Sequence, residues 1–395
     1  MSTRSQSSNA LALGVGALCA LGAMMWWYQS QKDEEAFMDG NTLSLPVVEL
    51  DKFFKKEDHP EEYKAECAKV AYAFHNYGLC IVRDPRANEK DNNTFIDMME
   101  RYFEGSDGVR DARPEVGFQV GVTPEFTEKP LNHCKRIGAY GPDDKPLTIC
   151  PPEKDPKWRF FWRIGPQPKH TKFPGLNAEA VVPPEIPEWS IVMDMWGGKM
   201  LGALFVVADM TARGFNMKPD SFVQKMENGP HLLAPTGSNF NKFRDNGTVL
   251  AGYHYDLNFM TIHGKSRFPG LSVWSRKGKK LSVAIPDGCL LIQAGKQLEY
   301  LTGGHVQAGF HEVVVNEATV DKIAAREANG ESLWRVSSTL FGHIQSDQTL
   351  EPLPPFNTPG AKKAYPSMYA GEQVAAELAN INLDQTGGTV MSKSP

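Results

Sequence analysis

The pattern His254-Tyr255-Asp256 inside LAGYHYDLNF, with a second histidine, His311, far downstream inside QAGFHEVVV, constrains this chain most. Two imidazoles and one carboxylate can occupy one face of an iron(II) ion. The other positions then stay open for a substrate or cosubstrate and O2. The HxD spacing suits a strand, because residues i and i+2 project from one face and can reach one metal. The distant histidine must then arrive on a neighbouring strand. VQAGFHEVVV, bounded by Gly303-Gly304 and rich in valine, reads as such a strand. By itself HxD is a weak signal, since many solvated turns carry it.

The order of the surrounding segments adds to it. After His254 and Asp256 come FMTI, PGLSVW, RKGKK, IPDG, GKQLEYLTGG and FHEV, and then Arg335-Val336-Ser337 within LWRVSSTLFGHI. Over roughly residues 250–342 this order resembles the catalytic core of the isopenicillin N synthase-like iron(II)/2-oxoglutarate dioxygenases. On the amino-terminal side, LPVVELDKF, HNYGLCIVRDP and NTFIDMMERYF resemble that family's first strand, second strand and following helix.

The resemblance implies a mainly β fold with flanking helices. Its core would be a distorted double-stranded β-helix, or jelly roll, spanning 238–345. It implies iron(II) held by His254, Asp256 and His311, with 2-oxoglutarate and O2 as cosubstrates. The far carboxylate of 2-oxoglutarate would dock on Arg335 and Ser337, for which the planar guanidinium fork is suited. Oxidative decarboxylation to succinate and CO2 would then drive hydroxylation, desaturation or oxidative cyclisation of a small organic substrate. Two alternatives stand beside this: an iron(II) oxidase of the same fold that uses no 2-oxoglutarate, and a catalytically inactive, membrane-tethered binding protein.

Two departures from the family pattern appear. The gap between His311 and Arg335 is long, and VDKIAAREANGES reads as a helix and turn inserted in a hairpin. Where the family often has Asn-x-Tyr-Pro-Pro, this chain has Asn241-Lys242-Phe243, which lacks the phenol. Among other histidines, His305 in the Gly-Gly turn is the rival third ligand. His263 and His343 read as satisfied or exposed strand residues. Tyr255 should face away from the metal by alternation. Leu257, Asn258 and Phe259 either line the substrate mouth or pack.

Composition bounds the rest. At 395 residues the chain can bury a large core. A net charge of −5 offers no basic excess, which argues against nucleic acid as a partner. The six cysteines contain no CxxC pair. Buried free thiols are the expected state, with a Cys134–Cys150 bridge as the alternative.

Ala10 to Tyr28 is free of charge and closes on Trp26-Trp27-Tyr28. At about 1.5 Å per residue it nearly matches a ~30 Å hydrocarbon core, and the aromatics suit an interfacial belt. Residues 1–28 therefore read as a single-pass membrane anchor, with a cytosolic amino terminus. A cleaved targeting peptide leading to an organelle or secretory lumen is the alternative. Residues 29–44 read as a tether and 45–345 as the catalytic domain, its amino-terminal part covering 45–189.

Within that part, 61–76 and 92–103 read as helices and Leu79–Val82 as a buried strand. From 104 to 189 the chain is irregular and rich in Pro and aromatics. There KWRFFWRIG either staples the segment to the core or supplies aromatic and cationic groups to a substrate mouth. Residues 189–214 read as a buried core helix, apolar yet carrying Asp194, Lys199 and Asp209. Residues 346–395 read as a tail with one short helix in YPSMYAGEQVAAELANI.

Overall fold

Apolar strands and amphipathic helices follow one another from Val47 onward in a computed structural model that describes residues 38–39, 42–43 and 45–381. The Ala10–Tyr28 run, most of the 29–44 tether and the residues after 381 lie outside the described residues.

In chain order, Val47–Glu49 is β1, Pro60–Tyr77 is α1 and Leu79–Arg83 is β2. Glu89–Gly105 is α2, Trp158–Arg163 is β3 and Trp189–Gly214 is α3. Then come Leu232–Leu233 (β4), Thr236–Asn239 (β5), Val249–His254 (β6) and Met260–His263 (β7). Leu271–Trp274 (β8), Lys280–Val283 (β9), Leu290–Ala294 (β10) and Lys296–Leu301 (α4) follow. The barrel closes with His311–Val314 (β11), Glu317–Ala328 (α5), Trp334–Ser337 (β12) and Thr339–Gly342 (β13). Ala370–Asn380 is α6.

Local chemistry sets several of these ends. Pro60 opens α1 with Glu61 and Glu62 in its first turn, where acidic groups favour the helix dipole. Gly78 closes α1 at φ 67°, and a Cβ there would lie 2.9 Å from the Gln307 carbonyl oxygen. The Asn88 side chain caps α2 by accepting from the Asp91 N–H.

Two sheets form the jelly roll. One runs Met38–Asp39, Thr42–Leu43, β9, β8, β11, β6. The other runs β12, β5, β3, β4, β13, β7, β10, β2, β1. Helices α1, α2 and α3 pack together on the second sheet, and the largest core lies between them. Among the described residues, α3 is long and apolar enough to cross a membrane, but 61% of its most apolar window is buried inside the protein. Trp189, Met193, Trp196, Met200 and Leu204 all lie in that core. The Trp196 indole N–H donates to Ser338 Oγ at 2.6 Å. As expected from its sequence, α3 is a core helix.

Two expectations change. The insertion between His311 and Arg335 does not lengthen a hairpin. Strand β11 is already flanked by β8 and β6, so it has no free edge for β12. Helix α5, capped by Asn316, instead crosses to the other sheet, where β12 pairs with β5. Cys134 and Cys150 are disulfide-bonded, with Cα atoms 5.5 Å apart. A segment with little regular structure brings the two within bonding reach. Cys67, Cys80 and Cys289 are buried free thiols, as expected.

The segment read as a tail forms more than one short helix. Thr349–Leu350 pairs with Met368–Tyr369. Val374 and Leu378 of α6 pack against Phe118, Phe173 and Leu176.

Candidate metal centre

His254 ends β6 and His311 begins β11, and the two are partners across the ladder. Their ring centroids are 4.2 Å apart. Asp256 lies two residues beyond the end of β6, so a turn and not strand alternation brings it in. That turn is held from below by the start of α4. The Lys296 and Gln297 N–H groups donate to the carbonyls of Asp256 and Asn258 at 2.8 and 3.0 Å.

One ligand atom from each of His254, Asp256 and His311 lies within 4.8 Å of the others. The two histidine Nε2 atoms are 3.7 and 3.9 Å from Asp256 Oδ1. His254 Nδ1 bonds the Gly252 carbonyl at 2.6 Å and His311 Nδ1 bonds that of Gly309 at 3.1 Å. A carbonyl only accepts, so each Nδ1 carries the proton and each Nε2 presents its lone pair to the centre. Among the described residues Asp256 Oδ2 is buried without a partner, an uncommon state for a carboxylate oxygen. Burial, then the neighbouring His311, holds the His254 imidazole well below its ordinary pKa. Burial opposes the Asp256 carboxylate, but His311 and His254 outweigh it and keep its pKa low. Two imidazole Nε2 lone pairs facing one carboxylate oxygen make a ligand set. This donor set and its orphaned oxygen fit an iron(II) ion.

A cavity of about 580 Å³ opens from these residues into the barrel. Arg335, His263, Ser337 and Thr339 line it. Arg335 is buried, and its Nε donates to the Pro269 carbonyl at 3.2 Å. Among the described residues no carboxylate pairs with it. Burial lowers its pKa to about 10, so it remains cationic at neutral pH. An unpaired charge in a low-dielectric interior is costly, and an anionic guest would offset that cost. Ser337 lies two residues along β12, its hydroxyl 3.0 Å from Thr339 Oγ1.

A second cavity, of about 100 Å³, meets the same centre from outside. Strand β3 explains its chemistry. Trp158, Phe160 and Trp162 enter the core, whereas Lys157, Arg159 and Phe161 line the cavity. KWRFFWRIG therefore staples the segment to the core with one set of side chains and lines the cavity with the other. Lys157 is buried between Asp155 Oδ2 at 2.6 Å and Glu128 Oε2 at 3.1 Å. Arg159 shares Glu128 at 3.1 Å. Helix α6 walls the cavity with Val374, Glu377 and Leu378. The Tyr255 hydroxyl donates to Glu377 at 3.0 Å across this cavity. Leu257 and Asn258 reach the lining, while Phe259 is wholly buried in the core.

The remaining histidines separate clearly. His305 stacks on His75 at 4.2 Å and on Phe356 at 4.7 Å, and is not in the ligand cluster. His263 is engaged by Thr339 and Gln293. His343 is buried and lines the outer cavity, a position its sequence context did not signal. Phe243 packs against Phe126, ring centroids 5.8 Å apart, in place of a phenol.

An outer clamp joins the ligand strands. Strand β6 is a sheet edge, so its outward N–H groups need partners from elsewhere. Gly252 N–H donates to Asp155 Oδ1 at 2.9 Å and Tyr253 N–H to Thr148 Oγ1 at 2.6 Å. Thr148 in turn donates its hydroxyl to Glu312 at 3.2 Å. Glu312, next to His311 on β11, also accepts from Leu147 N–H at 3.1 Å and from Lys280 Nζ at 2.8 Å. The disulfide closes this same segment.

Residues 229–344 match the family profile described as the 2OG-Fe(II) oxygenase superfamily. No curated protein sequence matches the chain. Among solved structures, one described as a putative 2OG-Fe(II) oxygenase family protein from Caulobacter crescentus is 20% identical with a TM-score of 0.65, covering 85% of this chain and 98% of that one. A full-length Neurospora crassa protein, solved in complex with alpha-KG, is 16% identical with a TM-score of 0.66, covering 87% and 98%. The dioxygenase for auxin oxidation 1 from Arabidopsis thaliana, solved with 2-oxoglutarate, is 15% identical with a TM-score of 0.55, covering 80% and 98%. The fold is shared with all three. Residues 229–344 thus form a 2OG-Fe(II) oxygenase superfamily domain, and the chain is a non-haem iron(II)/2-oxoglutarate-dependent dioxygenase that takes Fe(II), 2-oxoglutarate and O2.

Proposed function

We propose that His254, Asp256 and His311 hold the iron, that Arg335 and Ser337 dock the far carboxylate of 2-oxoglutarate, and that a small organic substrate is oxidised from the outer cavity. On this reading the enzyme belongs to the isopenicillin N synthase-like group, which the order of segments from His254 to Ser337 supports. Hydroxylation, desaturation and oxidative cyclisation all fit this site. One observation carries the reading: a buried Arg335, with no carboxylate partner among the described residues, lines the same cavity as His254, Asp256 and His311. The Neurospora crassa protein solved with thymine and JOX2 solved with JA support a small-molecule substrate.

Iron, when bound, supplies the O2 chemistry that couples decarboxylation of 2-oxoglutarate to substrate oxidation, with release of succinate and CO2. The chain supplies position. Arg335 fixes the cosubstrate by its charged fork, with the Ser337 hydroxyl beside it. The Gly252 and Gly309 carbonyls fix the two imidazoles in the ligating tautomer. Phe161 and Phe341 limit water at the centre. On this reading the catalytic unit extends from Leu45 to Ile381, beyond the expected 345, because α6 walls the substrate side.

Arg335→Leu tests it. The 2-oxoglutarate KM should rise by roughly 30-fold or more, the size expected for losing a charge-assisted partner. Succinate should form in step with product in the wild type. An unchanged KM in the variant would remove Arg335 from the cosubstrate site.

A further inference from the structure

The outer cavity carries cationic groups that the metal centre does not use. Lys129, Lys157 and Arg159 line it. Lys157 is enclosed by its two carboxylates. Arg159 is held differently. Its one ion pair among the described residues runs through Nη2 to a Glu128 oxygen that Lys157 shares, and its Nε is buried without a partner. The guanidinium lies 5.4 Å from the Phe161 ring centroid and 5.3 Å from that of Phe341. These rings fix where the group lies but take up none of its N–H donors. Lys129 forms no ion pair among the described residues. Of the cavity's acids, Glu128 and Asp155 are engaged by Lys157, and Asp256 belongs to the ligand set. Glu377 accepts from Tyr255, and burial pushes its carboxyl towards the neutral form. Gln119, Asn258 and His343 add neutral polar groups, and the rest of the wall is mainly apolar, with Leu131, Leu232, Phe341, Val374 and Leu378.

We infer that the substrate is a small, mainly apolar carboxylic acid whose carboxylate docks on Arg159, with Lys129 adding positive charge at the rim. This rests on the iron and 2-oxoglutarate reading above and names the substrate class for that site. The Nε is enclosed, so the Nη groups are the donors turned to a guest, and a planar guanidinium matches a planar carboxylate better than a point charge would. The leucine and valine wall suits a hydrocarbon body. Held this way, the body lies beside His254 and Asp256, which line the same cavity. Arg159 is thus the specificity-determining residue, on the strand that also walls the barrel interior.

The test compares matched probes on the full chain loaded with Fe(II) and 2-oxoglutarate without O2. A series of straight-chain and aryl monocarboxylates, including hexanoate and phenylacetate, is titrated against the corresponding primary amides by calorimetry. Acids should bind about tenfold or more tighter than their amides. Arg159→Met should erase that preference, and Arg159→Lys should keep part of it. Equal affinity for acids and amides, no acid binding up to millimolar concentration, or a preference that survives in Arg159→Met overturns the inference. The wild-type comparison stands even if a variant fails to fold. The 2-oxoglutarate titration without acid separates the two readings: its failure in the wild type removes the cosubstrate site, whereas intact 2-oxoglutarate binding with no acid preference removes only this inference.

Discussion

Each imidazole at the centre has one nitrogen engaged by a backbone carbonyl two residues before it, Gly252 for His254 and Gly309 for His311. The free nitrogens converge on an aspartate with an orphaned oxygen. His311→Ala should therefore lower iron(II) affinity more than about 100-fold, beyond what loss of a supporting partner costs, and abolish turnover. His305→Ala should retain iron, because that ring lies in a stack with His75 and Phe356. Equilibrium dialysis with iron(II) distinguishes them, and the opposite ranking would reassign the third ligand. The positions of these residues were readable because HxD, the later histidine and RxS follow one another in a recognisable order. Glu128 and Asp155 were not. Asp155 reaches Gly252 across 97 residues of sequence, and no local pattern announces such a contact. Lys157 and Arg159 were half readable: the mixed aromatic and cationic run showed both possibilities, and only pairing in the sheet assigns one to each face.

Among elements, α1, α2, β2 and α3 follow from apolar spacing and Gly or Pro punctuation. The crossover after β11 does not, since sequence cannot tell whether a strand's second edge is already taken. The same edge logic yields a prediction for the clamp. Strand β6 carries His254 at an open edge, and β11 carries His311 beside Glu312. Glu312→Ala would leave Leu147 and Thr148 without their acceptor and loosen the segment that holds Tyr253. Stability should fall by about 2–3 kcal/mol, the order of a buried charged acceptor removed from its donors. Iron affinity should weaken about tenfold, as for partners that orient ligands. Thr148→Val should act in the same direction and less strongly. Normal iron affinity in a destabilised Glu312→Ala would mean the clamp supports the fold without aiming the ligands.

The whole molecule has a built-in acid sensitivity in two buried histidines outside the ligand set. His231 is fully enclosed: its Nε2 bonds the Met226 carbonyl at 3.0 Å, and its Nδ1 accepts from the His343 backbone N–H at 3.0 Å. Both nitrogens are committed in the neutral tautomer, so a second proton has no acceptor. Burial, then the nearby Arg163, holds His231 well below its ordinary pKa, and the same two causes hold His343 down to about 3. An unfolded chain would protonate both near 6.5. Below that pH the unfolded state binds more protons than the folded one, so stability falls as pH drops. Each such group contributes about 1.4 kcal/mol per pH unit in that window. Urea unfolding between pH 7.5 and pH 5 should thus show stability declining on the acid side. His343→Asn should flatten that slope by about one proton's worth, whatever it does to the absolute stability. The slope is the readout, because a packing defect shifts the curve without changing proton uptake. An unchanged slope in the variant would show that His343 takes up its proton in the folded protein as readily as in the unfolded chain.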